Sequence, residues 1–168
     1  MPTKEKRLSR VRLLIGIAIV IFIIKALILV AYVPSSSMEN TLKPGDLVLC
    51  LKTHKVERYD VAVFVPPDEP NKLYIKRVIG LPGDTITIKD HHTYINGSLA
   101  REDFLPEKQK DFKAPHIYKV PKGHYFMMGD NRNNSFDSRY WQHKFVPEGQ
   151  ITAKAVCLFL PFTHIKGL

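Results

Sequence analysis

The N-terminal part of the chain is a continuous apolar stretch, and the rest alternates between apolar and polar positions. Residues 13–33 carry a single charge, Lys25. In a helix that rises 1.5 Å per residue, about 20 apolar residues cross the roughly 30 Å hydrocarbon layer of a bilayer. A lysine near the centre costs about 2.5–3.5 kcal/mol, which the many Ile, Leu and Val residues offset. The pattern therefore predicts one N-terminal transmembrane helix over residues 13–33.

After Pro34 the pattern changes to short runs that are typical of β-strands. These runs alternate with a period of two or are wholly apolar, and Pro and Gly turns separate them. Asn96-Gly97 is a strong signal for a tight hairpin. The predicted strands are 46–51, 61–65, 73–79, 85–89, 93–95, 124–128 and 151–160. We therefore expect a mostly β fold, with an antiparallel barrel-like or sandwich-like domain over residues 34–168.

One segment of this domain lacks the strand pattern. Residues 101–119 are charged and contain prolines. A segment of this length and composition predicts a surface excursion rather than a second domain.

The charge distribution indicates how the N-terminus is used. The net charge is +9, and residues 1–12 contain five basic residues against one glutamate. Because this basic tail precedes an apolar segment and no nucleic-acid motif accompanies it, anionic lipid is the favoured partner and nucleic acid is not. The positive-inside bias places residues 1–12 in the cytoplasm and residues 34–168 outside it.

A cleaved signal peptide is the alternative for the apolar stretch. We favour an uncleaved anchor, because the stretch is longer than a usual signal-peptide core and no small-x-small cleavage site ends it. Cys50 and Cys157 match neither CxxC nor a zinc spacing, so they are interpreted as buried thiols, and a disulfide between them stays open. The histidines show no metal-ligand spacing, and we predict no metal and no other cofactor.

Candidate chemistry begins where the apolar stretch ends, at Ser35, Ser36 and Ser37. A serine hydroxyl becomes a good nucleophile only beside a base, such as a histidine or a neutral lysine. Lys76 lies in an alternating run, where apolar neighbours would favour its neutral amine. Lowering a lysine pKa from about 10.4 to near 8 takes roughly 3 kcal/mol of differential solvation. The pattern alone also fits a polar linker and a lysine that reaches solvent from a strand edge.

Three segments together resemble the type I signal peptidases in order and separation. They are PSSSMENTLKPGD from residue 34, YIKRVIGLPGD from residue 74 and MGDNRNNSFDSRYW from residue 128. The resemblance extends over about residues 34–162. It implies a bacterial plasma-membrane serine endopeptidase that removes signal peptides from exported preproteins. Cleavage would follow small residues of the Ala-x-Ala type and proceed through an acyl-enzyme.

The resemblance also implies roles for individual residues. Ser37, directly before a methionine, corresponds to the nucleophile, and Lys76 corresponds to its general base. Ser35 corresponds to a hydroxyl that helps the Ser37 backbone N–H to stabilise the oxyanion. Ser135 corresponds to a serine that orients the lysine amine. The remaining matched positions imply a supporting ionic network of Arg77, Asp130, Asp137 and Arg139.

The chain departs from the family pattern at several positions. Ser36 stands where glycine is common, and Glu39-Asn40 replaces the usual x-Pro. Asn133 stands where aspartate is frequent, and residues 142–144 replace a single glycine of many members. These differences leave open a specialised member of the family, such as a processing peptidase of a conjugation system.

Three further functions remain as alternatives. A non-catalytic, membrane-anchored β-domain would need no reactive serine. A self-cleaving repressor-type Ser/Lys protease would carry a DNA-binding domain where this chain has the apolar stretch. A histidine-based serine hydrolase could draw on one of four histidines, which are His54, His91, His92 and His124.

Overall fold

The computed structural model describes residues 4–110, 112 and 114–168, and residues 1–3 of the predicted basic tail lie outside this part. One helix, α1, spans Lys4–Leu27. The strands that follow are β1 Ile28–Tyr32, β2 Leu47–Lys52, β3 Val61–Phe64, β4 Tyr74–Gly80, β5 Thr85–Lys89, β6 His92–Ile95, β7 Ser98–Leu99, β8 His116–Lys119, β9 His124–Met128, β10 Val146–Pro147, β11 Ile151–Leu160 and β12 Lys166–Gly167. The mostly β prediction is confirmed, and each of the seven predicted strands coincides with an observed one.

Within the described ranges, no helix is both long and apolar enough to span a bilayer.

The C-terminal end of the apolar stretch differs from the prediction of one helix over residues 13–33. The helix ends at Leu27, and Ile28–Tyr32 form β1, which pairs antiparallel with β2 from Ile28↔Leu51 to Tyr32↔Leu47. Leu29 and Ala31 pack on a buried cluster, whereas Val30 and Tyr32 are exposed. This alternation serves a sheet with one buried face, and a run of apolar residues alone does not separate it from a helix.

The strands form two antiparallel sheets. The larger has the order β1-β2-β11-β3-β4-β9-β10 with β12 beside β11, and the smaller has the order β7-β6-β5-β8. Strands β1 and β4 are far apart in this order, yet residues of both line one groove. The larger sheet therefore curls into a half-barrel, in which its β1 edge faces β4.

Buried apolar clusters hold the curled sheet and the smaller sheet together. One cluster lies under β1, β2, β3 and β11, and a second surrounds Trp141. The third joins Ile86 and Ile88 of the smaller sheet to Phe126 and Met128 of β9. Because β4 and β9 carry residues of more than one cluster, they fix the position of the two sheets relative to each other.

The segment 101–119 is only partly the surface excursion that the sequence predicts. Its last residues form β8, which pairs with β5 and buries Tyr118 between exposed neighbours. Gln109 is also buried, and its side chain contacts Arg132. The charges around these residues hide a strand with only one buried side chain from a pattern analysis.

The cysteines are both free thiols in this structure. Cys50 of β2 is buried, and Cys157 of β11, in the neighbouring strand, is partly buried. The pKa of Cys50 is raised to about 11, mainly by burial and to a smaller extent by the neighbouring Cys157. This thiol therefore stays protonated at neutral pH.

Gly80 at the end of β4 tests the packing between the sheets. A Cβ at this position would lie 2.9 Å from Phe126 Cβ, 2.9 Å from Val120 Cγ2 and 3.1 Å from Ile86 Cδ1. We expect Gly80→Ala to lower the free energy of unfolding by about 1–3 kcal/mol because the core has no room for the methyl group. Urea unfolding in detergent, followed by Trp141 fluorescence, measures the change.

Gly149→Ala is the matched control, because a Cβ at position 149 meets no atom within 4 Å. Its unfolding free energy should stay within about 0.5 kcal/mol of wild type. Equal stabilities for the two variants would show that the contact between the sheets at Gly80 is looser than described.

Candidate active site

Ser37 lies in a short turn directly after β1. The residues Ser36–Met38 form a single 3-10 turn in which Ser37 is 8% exposed and Met38 is fully buried. Asn131 holds this turn from a second loop: its backbone N–H donates to the Ser37 carbonyl oxygen at 3.1 Å, and its side-chain amide donates to the Ser36 carbonyl oxygen at 3.2 Å. The Ser37 hydroxyl therefore belongs to a turn that Asn131 holds by two hydrogen bonds.

Lys76 reaches Ser37 from the middle of β4. Its Nζ donates a hydrogen bond to Ser37 Oγ, and the residue is only 5% exposed. Burial is the largest influence on its pKa, which falls from 10.5 to about 8. Asp137 and Asp130 oppose this shift and Arg139 adds to it, so the charged groups around the amine partly cancel. About one amine in ten is therefore uncharged at pH 7, and about half at pH 8.

Asp137 is the centre of a fully satisfied network beside Lys76. Arg139 binds it with two parallel hydrogen bonds of 2.8 Å, the Gly129 backbone N–H donates at 2.9 Å, and the Ser135 hydroxyl donates at 2.7 Å. Burial pushes the pKa of Asp137 up, but Arg139 and these other donors outweigh burial and lower the pKa. The carboxylate stays ionised, and its partners are held in fixed positions.

A second buried ion pair supports the other side of β4. Arg77, the residue after Lys76, binds Asp130 through Nε at 2.8 Å and through Nη2 at 2.6 Å. Thr41, just after the Ser37 turn, donates its hydroxyl to the same carboxylate, and Arg77 also donates to the Tyr59 carbonyl oxygen at 2.7 Å. This pair ties the segment after Ser37 to the strand that carries Lys76.

Ser37 and Lys76 lie in the wall of a groove of about 630 Å³. Ser35 Oγ lies 3.3 Å from Ser37 Oγ at the exposed rim of this groove. The groove is lined by residues of β1, the serine turn, the β3 and β4 strands and the loop before Asp137, which are Leu29, Val30, Ala31, Tyr32, Pro34, Ser35, Ser36, Ser37, Val63, Lys72, Leu73, Tyr74, Ile75, Lys76, Asn134 and Phe136. A serine hydroxyl beside a buried lysine amine at the edge of a mostly apolar groove has the arrangement that attack on the carbonyl carbon of a bound peptide requires.

Four histidines could serve as alternative bases. None of them lies among the described residues that line this groove. His54 contacts the Ile151 carbonyl oxygen at 2.6 Å, and His124 contacts that of Lys122 at 2.9 Å. His91 contacts the Gln109 carbonyl oxygen at 3.2 Å, and His92 lies 3.5 Å from Glu102. In the same described ranges, no group of three or more His, Cys, Asp or Glu residues could hold a metal ion.

Comparison with known families matches residues 7–160 to the model of "signal peptidase, peptidase S26". The chain belongs to this family. The resemblance that the three sequence segments carry is thereby confirmed.

Individual relatives agree with the family model. The chain is 36% identical over 167 residues to "Signal peptidase I" of Bacillus licheniformis, a match that covers 89% of both proteins. It is 35% identical over 185 residues to "Signal peptidase I" of Pseudomonas aeruginosa, which covers 80% of this chain but 65% of that protein's length. A crystal structure of a signal peptidase I from Enterococcus faecalis V583 superposes with a TM-score of 0.52 at 33% identity, covering 60% of this chain and 96% of that one. This similarity extends to the half-barrel fold.

The structure brings together all the site residues that the resemblance to the S26 family implies. One of them makes a different contact from the implied one. The Ser135 hydroxyl donates to Asp137, and no hydrogen bond joins it to the Lys76 amine in the described part of the chain. Ser135 thus contacts the charged network around Lys76 rather than the amine itself.

Sequence reasoning missed Gly129, Asn131 and Arg132, although all three lie within the third family segment. Asn131 holds the serine turn, and the buried Arg132 donates to the Gly129 carbonyl oxygen at 3.1 Å. Arg132 also joins this loop to Thr93 at 2.9 Å and to Glu102 at 2.8 Å. The only signal available was their position in a matched segment, because a pattern of polar loop residues does not show which of them are buried.

Gly129 offers a sharp test of the site's geometry. A Cβ at this position would collide with Ser135 Oγ and with the Ser37 carbonyl oxygen. We expect Gly129→Ala to slow acylation of Ser37 by a penem-type serine probe at least about 100-fold, since displacements near 1 Å have effects of this size. Mass spectrometry of the labelled protein over time gives the rate.

Gly149→Ala is again the control and should be labelled at the wild-type rate. Labelling of Gly129→Ala at the rate of the control would show that the loop at residue 129 does not position Ser37.

Proposed function

We propose that this chain is a serine endopeptidase that removes N-terminal signal peptides from exported preproteins, with Ser37 as nucleophile and Lys76 as general base. The observation that carries the proposal is the hydrogen bond between the buried Lys76 amine and Ser37 Oγ at the wall of an apolar groove. The names of the relatives and membership of the S26 family support the choice of substrate.

Among the residues that the structure describes, two strand edges beside the groove have no partner strand, and they suggest how a preprotein binds. β1 lies at the edge of its sheet. The pairing of β4 with β9 begins at Arg77, so the residues of β4 before Arg77 do not pair with β9. The backbone edges of β1 and of the first residues of β4 therefore face the groove. An extended peptide can add to these edges as a further strand, which leaves its side chains to select for fit. The family pattern implies small side chains, usually alanine, at the first and third positions before the cut.

Acylation needs one proton transfer and one leaving group. The neutral Lys76 amine accepts the Ser37 proton while Oγ attacks the scissile carbonyl carbon. The tetrahedral intermediate then expels the amine of the mature protein, which takes the proton from the Lys76 ammonium. The C–N bond breaks, an ester to Ser37 forms, and Lys76 is neutral again for the second half of the reaction.

The oxyanion requires donors that are already in place. Ser35 lies beside Ser37 Oγ, and its hydroxyl together with the Ser37 backbone N–H would bind the developing negative charge. A single donor of this kind contributes about 3–4 kcal/mol in the transition state. In the second half of the reaction a water gives its proton to Lys76 and attacks the ester carbon. The bond from this carbon to Ser37 Oγ then breaks, Oγ takes the proton back from Lys76, and the signal peptide leaves with a new carboxyl terminus.

Cleavage of a purified model preprotein tests the proposal directly. Ser37→Ala and Lys76→Ala should each lower the rate at least about 1,000-fold, because either change removes the reacting pair. Gel separation of precursor and mature protein, with N-terminal sequencing of the product, measures the cut and its position.

The exposed Ser98, in the smaller sheet, supplies the control, and Ser98→Ala should cleave at the wild-type rate. Cleavage by Ser37→Ala at wild-type speed would rule out the assigned nucleophile. A wild-type chain that neither cleaves nor reacts with a serine probe would instead support the non-catalytic β-domain.

The pH dependence follows from the lowered pKa of Lys76. The base is the neutral amine, so kcat/KM should rise about tenfold per pH unit below pH 8 and level off above it. The rate measured with one preprotein at each pH unit from about pH 6 to about pH 11 gives the profile. A profile that is flat over this range, or that keeps rising beyond pH 10, would contradict a lysine base with a pKa of about 8.

Membrane attachment through the apolar stretch is part of the proposal. Large apolar side chains are exposed on all sides of α1 between residues 13 and 24, and they need an apolar environment. They are Leu13, Leu14, Ile15, Ile17, Ile19, Val20, Ile21, Phe22, Ile23 and Ile24. Bacterial plasma membrane would supply this environment, with the basic tail at anionic lipid on the cytoplasmic side.

Lys52 of β2 connects this helix to the sheet. Its Nζ donates to the Lys25 carbonyl oxygen, near the end of α1, at 2.6 Å. The groove would thus be held close to the membrane surface, where substrates are still attached by their own apolar segments.

Protease added to intact spheroplasts should digest the domain after residue 34. A domain that stays protected would contradict this topology.

A further inference from the structure

We propose that Ser36 and Asn134 form the subsite for the first residue of the mature protein and favour an uncharged hydrogen-bonding side chain there. This inference rests on the proposed function. The observation behind it is a hydrogen bond of 2.9 Å from the Asn134 side-chain amide to Ser36 Oγ, at the rim of the groove beside Ser37.

Two sets of residues with different chemistry line the groove. The first set is apolar and comes from β1, β3 and β4, including Leu29, Ala31, Val63 and Ile75. The second set comes from the serine turn and the loop before Asp137, and it includes the polar Ser36 and Asn134. The small apolar residues before the cut fit the first set. The second set is then left for the segment that follows the cut.

Both side chains keep hydrogen-bonding capacity for a ligand. In their mutual bond, Asn134 uses an amide proton and Ser36 uses an oxygen lone pair. In the part of the chain that the structure describes, the Ser36 hydroxyl proton and Asn134 Oδ1 have no protein partner. Ser36 is half-buried, Asn134 is exposed and both line the groove, so one donor and one acceptor are left for a ligand there. Serine, threonine, asparagine and glutamine side chains match this pair.

The side chain of Ser36 is also dispensable for the serine turn itself. The turn is held through backbone atoms, because Asn131 contacts the carbonyl oxygens of Ser36 and Ser37, and the Glu39 N–H bonds the Ser36 carbonyl oxygen at 3.0 Å. A change of the Ser36 side chain therefore leaves these contacts in place. This separates the effect on the leaving residue from an effect on the nucleophile.

The test compares preproteins that differ only in the first mature residue, with serine, asparagine or glutamine against alanine or valine. The readout is the ratio of kcat/KM for polar over apolar residues, measured in competition. Asn134→Ala and Ser36→Gly should each reduce this ratio about 3- to 10-fold, the range for one neutral hydrogen bond. The double variant should reduce it no further than the larger single effect, since both residues form one site.

Lys72→Met is the matched control, because Lys72 lines the same groove from the segment just before β4 rather than from the serine turn or the loop of Asn134. It should leave the ratio unchanged, whatever it does to the overall rate. If the Asn134 and Ser36 variants change kcat/KM by the same factor for every first mature residue, the ratio stays as in wild type. This result would overturn the subsite and leave the proposed function intact. An absence of Ser37-dependent cleavage in wild type would overturn both.

Discussion

The contact between the buried Lys76 amine and the Ser37 hydroxyl is the interaction on which the proposed mechanism depends. An ammonium group cannot accept a proton, so the pair has a base only if the protein disfavours the charge. Burial does this, because the charged form loses its hydration while the neutral form loses little. The fold must therefore bury a lysine without giving it a full counter-ion, and this requirement explains much of the architecture around it.

The two buried ion pairs meet this requirement because each carboxylate is already bound by its own arginine and by further hydrogen-bond donors. Asp137 is saturated by Arg139, Ser135 and Gly129, and Asp130 is saturated by Arg77 and Thr41. Removing one partner of such a pair would leave an uncompensated buried charge, which is strongly destabilising. The carboxylates are thus fixed as structural links between the strand of Lys76 and the loop that holds the serine turn. They are not free to become the partner of the amine.

The sequence predicted the strands with a clear period and the three segments that meet at the site. The prediction failed where one pattern fits two structures. The apolar pattern of Ile28–Tyr32 predicts the end of a helix, but these residues form an edge strand of the groove. It also failed at β8, where Tyr118 is the only buried residue among exposed ones. The burial of Arg132 has no sequence signal, because it depends on contacts with Thr93 and Glu102, which are distant along the chain. The hydrogen bond of Ser135 to Asp137 is local, but a run of polar loop residues does not show which of them pair.

An NMR titration of the lysine side chains in the detergent-solubilised chain tests the central claim most directly. The Nζ and Cε signals of Lys76 are assigned by their loss in Lys76→Arg. Our account predicts an inflection near pH 8 for this one lysine, below the ordinary value of 10.5. A Lys76 signal that titrates at that ordinary value would show that fewer than about one amine in a thousand is neutral at pH 7, which contradicts its role as the base.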